Sequence, residues 1–203
     1  SFGVDFLVGA VDGSSTSEVT QFGYQMGIDL NTSFTGEDSL DIAIISGDSP
    51  GVIGAANGLS FDDTNNALTL DGVSYTFPVG GATVIVGDGT DVSAAYTGAC
   101  AYSSFTDYLG NCGTGNSVGV EGSGVTAAAS YASDSGFSLA GGISSDPASV
   151  LTNEGTDIYG IEAAYTADSY GVAVAYSDNQ TSTFWGVNGT YAFDFATLSA
   201  GVE

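Results

Sequence analysis

Thr20-Gln-Phe-Gly-Tyr-Gln-Met-Gly-Ile-Asp-Leu-Asn-Thr-Ser-Phe34 places Phe22, Tyr24, Met26, Ile28, Leu30 and Phe34 on even positions. Gln21, Gly23, Gln25, Gly27, Asp29, Asn31 and Ser33 fall on odd ones. Successive side chains of a strand point to opposite faces, so a period of two gives one large apolar face and one small polar face. On a helix the same residues would be scattered round the circumference. The run is long enough to cross a bilayer at a tilt, which takes about 10 residues of alternating pattern.

The same alternation recurs outward from this stretch. After the turn at 35–39, Leu40, Ile42 and Ile44 alternate with Asp41 and Ala43. Residues 49–66 read as a loop rich in Gly, Asn, Asp and Ser. Leu68 and Leu70 resume the pattern, then a slip at Asp71-Gly72 shifts its phase before Val73, Tyr75, Phe77 and Val79, which predicts a turn or bulge. Short strands are expected at 83–86 and 92–96. Val125–Tyr131 and Phe137–Ile143 flank a hairpin signal at 132–136, and 145–157 is a loop. Tyr159, Ile161, Ala163 and Tyr165 alternate with Gly160, Glu162 and Ala164. Tyr170, Val172, Val174 and Tyr176, then Trp185, Val187, Tyr191 and Phe193, and finally Leu198 and Val202, continue the series.

Aromatic residues gather near the expected strand ends: Tyr159 with Tyr165, Tyr170 with Tyr176, Tyr191 with Phe193. Amphipathic rings favour the two interfaces of a membrane. The opposite face carries Gly, Ala, Ser, Thr, Asn and Gln, not the charges of an ordinary solvated face. These features predict one all-β domain over 1–203, an antiparallel up-and-down transmembrane β-barrel or part of one. A soluble sandwich, solenoid or propeller also alternates and is the competing architecture. In the barrel reading Phe22, Tyr24, Ile28, Leu30, Tyr165, Tyr170, Val174, Tyr176, Trp185 and Tyr191 face lipid. Gln25, Asp29, Asn31, Glu162 and Asn188 line the lumen.

Charge narrows the function classes. The chain has 24 Asp plus Glu, no Lys, Arg or His, and a net charge of -24. Without basic side chains it cannot grip phosphates, so nucleic-acid binding is excluded, as is basic attachment to anionic membranes. Selection for acidity, a fragment lying between basic segments, or an edited sequence would each produce this balance. With no histidine or lysine there is no Ser–His triad and no Schiff base, and no carboxylate pair stands out for glycoside hydrolysis, so no enzyme is expected. A lumen lined by amides, hydroxyls and carboxylates favours cations and neutral hydrophilic solutes.

No cofactor is expected. Asp62-Asp63 with Asn65-Asn66, and Asp88 with Asp91, gather oxygen ligands suited to Ca²⁺, but at neither the EF-hand nor the glycine-rich repeat spacing. The same residues build ordinary turns, with a weak ion site as the alternative. Cys100 and Cys112 stand in one loop-like segment; a disulfide is the expected state and free thiols the alternative. The opening Ser1-Phe-Gly-Val-Asp-Phe6 has no basic leader, and no apolar run approaches the ~20 residues of a membrane helix.

Several segments in order are similar to cyanobacterial outer-membrane porins of marine unicellular forms. They are Leu30-Asn-Thr-Ser-Phe-Thr-Gly-Glu-Asp-Ser-Leu40, Gly72-Val-Ser-Tyr-Thr-Phe-Pro-Val-Gly80, the cysteine segment 99–113, Asn153-Glu-Gly-Thr-Asp-Ile-Tyr-Gly160 through Tyr176, and Thr183-Phe-Trp-Gly-Val-Asn-Gly-Thr-Tyr-Ala-Phe193. The resemblance implies a carbohydrate-selective or iron-uptake type of porin. It further implies passive diffusion of small hydrophilic solutes across the outer membrane of a Gram-negative-type cell, a homotrimer, and a larger barrel often preceded by a surface-layer-homology domain. These residues contain no such domain, no terminal aromatic residue and no constriction Lys or Arg, so a fragment is the expectation. The runner-up function is a soluble acidic extracellular module, structural or adhesive, that uses divalent cations as screening partners.

Overall fold

The computed structural model describes residues 1–10, 20–48, 64–89, 124–178, 180–181 and 183–202. The expected strand at 92–96 and both cysteines, Cys100 and Cys112, lie outside these residues. Every regular element described is a strand, eleven in all: β1 (Phe2–Ala10), β2 (Thr20–Thr32), β3 (Ser39–Asp48), β4 (Thr69–Val79), β5 (Ala82–Asp88), β6 (Val125–Ala132), β7 (Phe137–Ser145), β8 (Asp157–Thr166), β9 (Tyr170–Asp178), β10 (Thr183–Ala192) and β11 (Thr197–Val202). The chain divides into two compact units, residues 1–32 with 40–73 and residues 33–39 with 74–203.

In the first unit β2 pairs antiparallel with β1 on one side and β3 on the other. Ile28 stands between Phe2 and Ile44, and Tyr24 between Phe6 and Asp48. Strand β1 was not anticipated. Its Phe2, Val4, Phe6 and Val8 are nonetheless on one face, alternating with Gly3, Asp5, Leu7 and Gly9. Of the turn or bulge expected at Asp71-Gly72, the turn is absent: the chain stays extended through β4.

In the second unit β5 to β11 form an antiparallel meander in which each strand is hydrogen-bonded to its sequence neighbours. The connections at one end are tight: 80–81, 133–136, 167–169 and 193–196. The opposite end carries 89–124, 146–156 and 179–182. The hairpin predicted at 132–136 closes through Ser133 N to Phe137 O at 2.8 Å and Gly136 N to Ser133 O at 3.0 Å. Gly136 has φ +89°, and a Cβ there would run into the Thr166 carbonyl oxygen, so a residue without a side chain is required.

The turn at 33–38 is built round one carboxylate. Asp38 Oδ1 accepts from Ser33 Oγ at 2.5 Å, Phe34 N at 3.0 Å, and Thr35 N and Oγ1 at 2.8 Å each. Its Oδ2 accepts from the Tyr75 hydroxyl at 2.5 Å, and the Tyr75 ring lies edge-on to Phe34. Those donors hold the Asp38 carboxyl well below the usual carboxylate range, the Ser33 and Tyr75 hydroxyls contributing most.

What the second unit buries is the reverse of a soluble core. Among the described residues the buried apolar ones are alanines: Ala128, Ala140, Ala173 and Ala175. The largest fully buried side chains are Glu162, Thr126 and Ser177. Tyr159, Ile161, Tyr165, Tyr170, Val172, Val174, Tyr176, Trp185 and Tyr191 are all exposed. A soluble sheet hides its large apolar side chains, because removing apolar area from water is the main favourable term in folding.

Candidate functional site

The strand registers assign each residue of the second unit to one of two faces. Across the middle of the small-residue face one row reads Thr83, Ser130, Ala140, Glu162, Ala175, Gly186. Towards the tight turns the next row reads Ser138, Ala164, Ala173, Asn188, Gly201. Towards the other end it reads Ile85, Ala128, Gly142, Gly160, Ser177. Glu162 is 1% exposed. Among the described residues of β5 to β11 it is the only carboxylate on this face. Near the tight turns a cleft of about 440 Å³ opens over Ala164, Thr166, Gly171, Ala173, Asn188 and Thr190. There Thr190 and Ser199 hydroxyls pair across β10 and β11 at 3.2 Å.

The opposite face carries aromatic residues at both ends of three consecutive strands: Tyr159 and Tyr165 on β8, Tyr170 and Tyr176 on β9, Trp185 and Tyr191 on β10. Each pair is six residues apart, about 20 Å along a strand. The registers put Trp185 beside Tyr176 and Tyr191 beside Tyr170, so the rings form two bands. Between the bands lie Ile161, Ala163, Val172, Val174 and Val187. Tyr191 and Phe193, expected to mark an end together, pack against each other at 4.6 Å; Phe193 lies beyond the end of β10 and joins the same band.

The band away from the tight turns is polar at its tips. The Tyr159 hydroxyl donates to Asp157 Oδ2 at 3.3 Å, and the Tyr176 hydroxyl to Asp178 Oδ2 at 3.4 Å. Asp157 is buried and also accepts from Ser145 Oγ at 2.5 Å and Gln180 Nε2 at 3.4 Å. This network was not anticipated from the sequence. Its signal, Ser145 directly opposite Asp157, appears only once the register is known.

The sequence-derived residues divide as follows. Of those assigned to lipid, Phe22, Leu30, Tyr165, Tyr170, Val174, Tyr176, Trp185 and Tyr191 are exposed, while Tyr24 and Ile28 are half-buried. Of those assigned to the lumen, Asp29 and Asn31 are exposed, Gln25 and Asn188 half-buried and Glu162 closed off. In the first unit Asp29 Oδ2 accepts from Ser1 Oγ at 2.6 Å, and Asn31 Nδ2 donates to Asp41 Oδ1 at 2.5 Å. Asp62, Asp63 and Asp91, three of the Ca²⁺ candidates, lie outside the described residues; Asp88 ends β5. Asn66 is engaged by the Tyr24 hydroxyl at 2.8 Å and reaches Asp48 Oδ2 at 3.3 Å. Among the described residues no group of three or more metal-ligating side chains comes together.

No family model and no curated protein matches the chain. Solved porin structures do. A variant of Rhodopseudomonas blastica porin is 18% identical and is covered over 70% of its length by 98% of this chain, with a TM-score of 0.52. A second variant of that porin is 17% identical over 99% of this chain and 73% of its own, at 0.52. A structure described under asymmetric conductivity of engineered proteins is 20% identical over 98% and 70%, at 0.55. Likeness at these identities is a likeness of fold: the antiparallel up-and-down β-barrel of porins. It supports the porin resemblance at that level and gives nothing to the cyanobacterial carbohydrate-selective or iron-uptake type.

Proposed function

We propose that this chain is the wall of an outer-membrane channel, not an enzyme, through which small hydrophilic solutes diffuse passively, with cations preferred over anions. The observation that carries the reading is the inverted sheet of the second unit. Large apolar side chains and two aromatic bands are exposed on one face, and alanines, hydroxyls and a carboxylate are enclosed on the other. Lipid is the environment in which that exposure is stable, and the two bands fit its two interfaces. Tight turns at one end and the longer connections 89–124 and 146–156 at the other fit the short periplasmic turns and longer outer loops of such barrels.

The buried Thr126 Oγ1 and Ser177 Oγ have no protein partner among the described residues, and water or a passing solute would satisfy them. The cation preference follows from charge: 24 carboxylates and no basic side chain leave nothing that would attract an anion. The porin likeness makes a homotrimer in the outer membrane of a Gram-negative-type cell the assembly to look for.

Refolding into detergent, followed by insertion into a planar bilayer, tests the proposal. Stepwise conductance increments are expected, with a reversal potential of cation-selective sign under a salt gradient. A protein that stays monodisperse in plain buffer and adds no conductance would overturn the channel, and anion selectivity would overturn the preference.

A further inference from the structure

The cleft of about 440 Å³ over β8, β9 and β10 has the size that takes a small organic molecule. Its floor is Ala164, Gly171 and Ala173. Gly171 stands between Thr166 and Thr190 in one row, so these two hydroxyls are two strands apart, about 10 Å, with no side chain between them. A Cβ on Gly171 would meet nothing closer than 3.7 Å, so the notch is open. Asn188 is half-buried one row further in, and Asp168 lines the cleft from the turn at 167–169. Among the described residues, the side chains of Thr166, Asp168 and Asn188 have no protein hydrogen-bond partner. An amide and a hydroxyl both donate and accept, whereas a carboxylate only accepts.

Resting on the channel reading above, we propose that this cleft is a solute-binding site at the tight-turn mouth of the pore, and that its ligand is a small amine cation carrying several hydroxyls. Among the described residues Asp168 is the only carboxylate lining the cleft, and the chain has no basic side chain to neutralise it. Asp168 is exposed, and an exposed carboxylate is charged at neutral pH. An ammonium group supplies the opposite charge together with three donors. The hydroxyls of the solute meet Asn188, Thr166 and Thr190, which accept or donate as required. An anion finds no partner there. A bare divalent ion needs about six or more oxygen ligands, and one carboxylate with hydroxyls about 10 Å apart closes no shell around it.

The experiment measures equilibrium binding to the protein refolded in detergent, by ligand-observed NMR in phosphate buffer. Three probes are compared: protonated tris(hydroxymethyl)aminomethane, its neutral isostere pentaerythritol, and tetramethylammonium, a cation with no hydroxyl. The amine should bind in the millimolar range, about 3-fold or more tighter than either of the others. Asp168→Asn should bring the amine down to the level of pentaerythritol; it breaks no protein hydrogen bond among the described residues, so the fold is kept. Asn188→Leu should weaken the amine by about 5-fold. Asp134→Asn removes the same charge from the neighbouring tight turn, outside the cleft, and should leave the amine unchanged. An amine held no tighter than pentaerythritol, or weakened as much by Asp134→Asn as by Asp168→Asn, overturns the site. Single-channel recording in planar bilayers keeps this apart from the channel reading. A protein that binds the amine as expected but never conducts retains the cleft and loses the channel; one that conducts without preferring the amine retains the channel and loses the cleft.

Discussion

Replacing Val174 by arginine separates a membrane wall from a soluble sheet by the size of a single free-energy change. Val174 lies in β9 with Ala163 and Val187 directly opposite, four residues from Tyr170 and two from Tyr176. The midpoint between the bands falls one residue away, about 3.4 Å. The side chain is 48% exposed, so the substitution removes little packing. On a soluble surface Val174→Arg would cost within about 0.5 kcal/mol. At the middle of a hydrocarbon layer an arginine on the lipid face costs about 2–4 kcal/mol, falling to about 0–1 kcal/mol at the interfaces. Val187→Arg should match Val174→Arg, because the two residues stand directly opposite each other. Leu198→Arg should cost much less, because Leu198 pairs with Tyr191 in a band. Equilibrium urea unfolding from lipid vesicles measures all three. A Val174→Arg cost within about 0.5 kcal/mol of zero, or a Leu198→Arg cost as large as that of Val174→Arg, would refute the assignment of this face to lipid.

Three further outcomes follow from the geometry. Ala175 is 1% exposed between Glu162 and Gly186, so Ala175→Phe should overpack that row, cost about 1–3 kcal/mol by the same unfolding assay and reduce single-channel conductance. Gly136→Ala should destabilise by more than about 1 kcal/mol, since its φ is positive and the Thr166 carbonyl occupies the place of the new methyl; an unchanged urea midpoint would count against the hairpin geometry. The Asp38 carboxyl is depressed in the folded chain, so its contribution is fully present above the unfolded carboxyl value of about 4 and is lost as pH falls below it. The stability difference between the parent and Asp38→Asn should therefore be constant from pH 5 to 7 and shrink below about pH 4; a difference that grows on acidification would contradict the network.

The strands were legible wherever the period of two ran clean, as in β2 and β6 to β10. Strand β1 escaped because Leu7 interrupts its alternation. The slip at Asp71-Gly72 reads as a break, yet an extended backbone tolerates a change in which face is apolar when both faces are partly exposed. Alternation alone cannot say whether the large residues point in or out. A sandwich and a barrel wall share that pattern, and only the exposure of Val174 against the burial of Ala175 separates them. The pairing of Trp185 with Tyr191 needed the end of β10, which the apolar Phe193 concealed. Glu162 was legible as a position on a face, but not as an enclosed side chain. The Asp38 and Asp157 networks depend on Tyr75 and Gln180, 37 and 23 residues away, and no local spacing announces them.

The six-residue interval between the rings of β8, β9 and β10 works as a ruler. A stretch of about 20 Å along the strand, shortened further by any tilt, is less than the roughly 30 Å hydrocarbon thickness of an average bilayer. A thick membrane would have to thin around the protein or draw tyrosines below their preferred depth, at fractions of a kcal/mol per Å. The chain should thus partition into, and fold fastest in, short-chain lipids, with the carboxylate-anchored hydroxyls of Tyr159 and Tyr176 marking where that thickness ends.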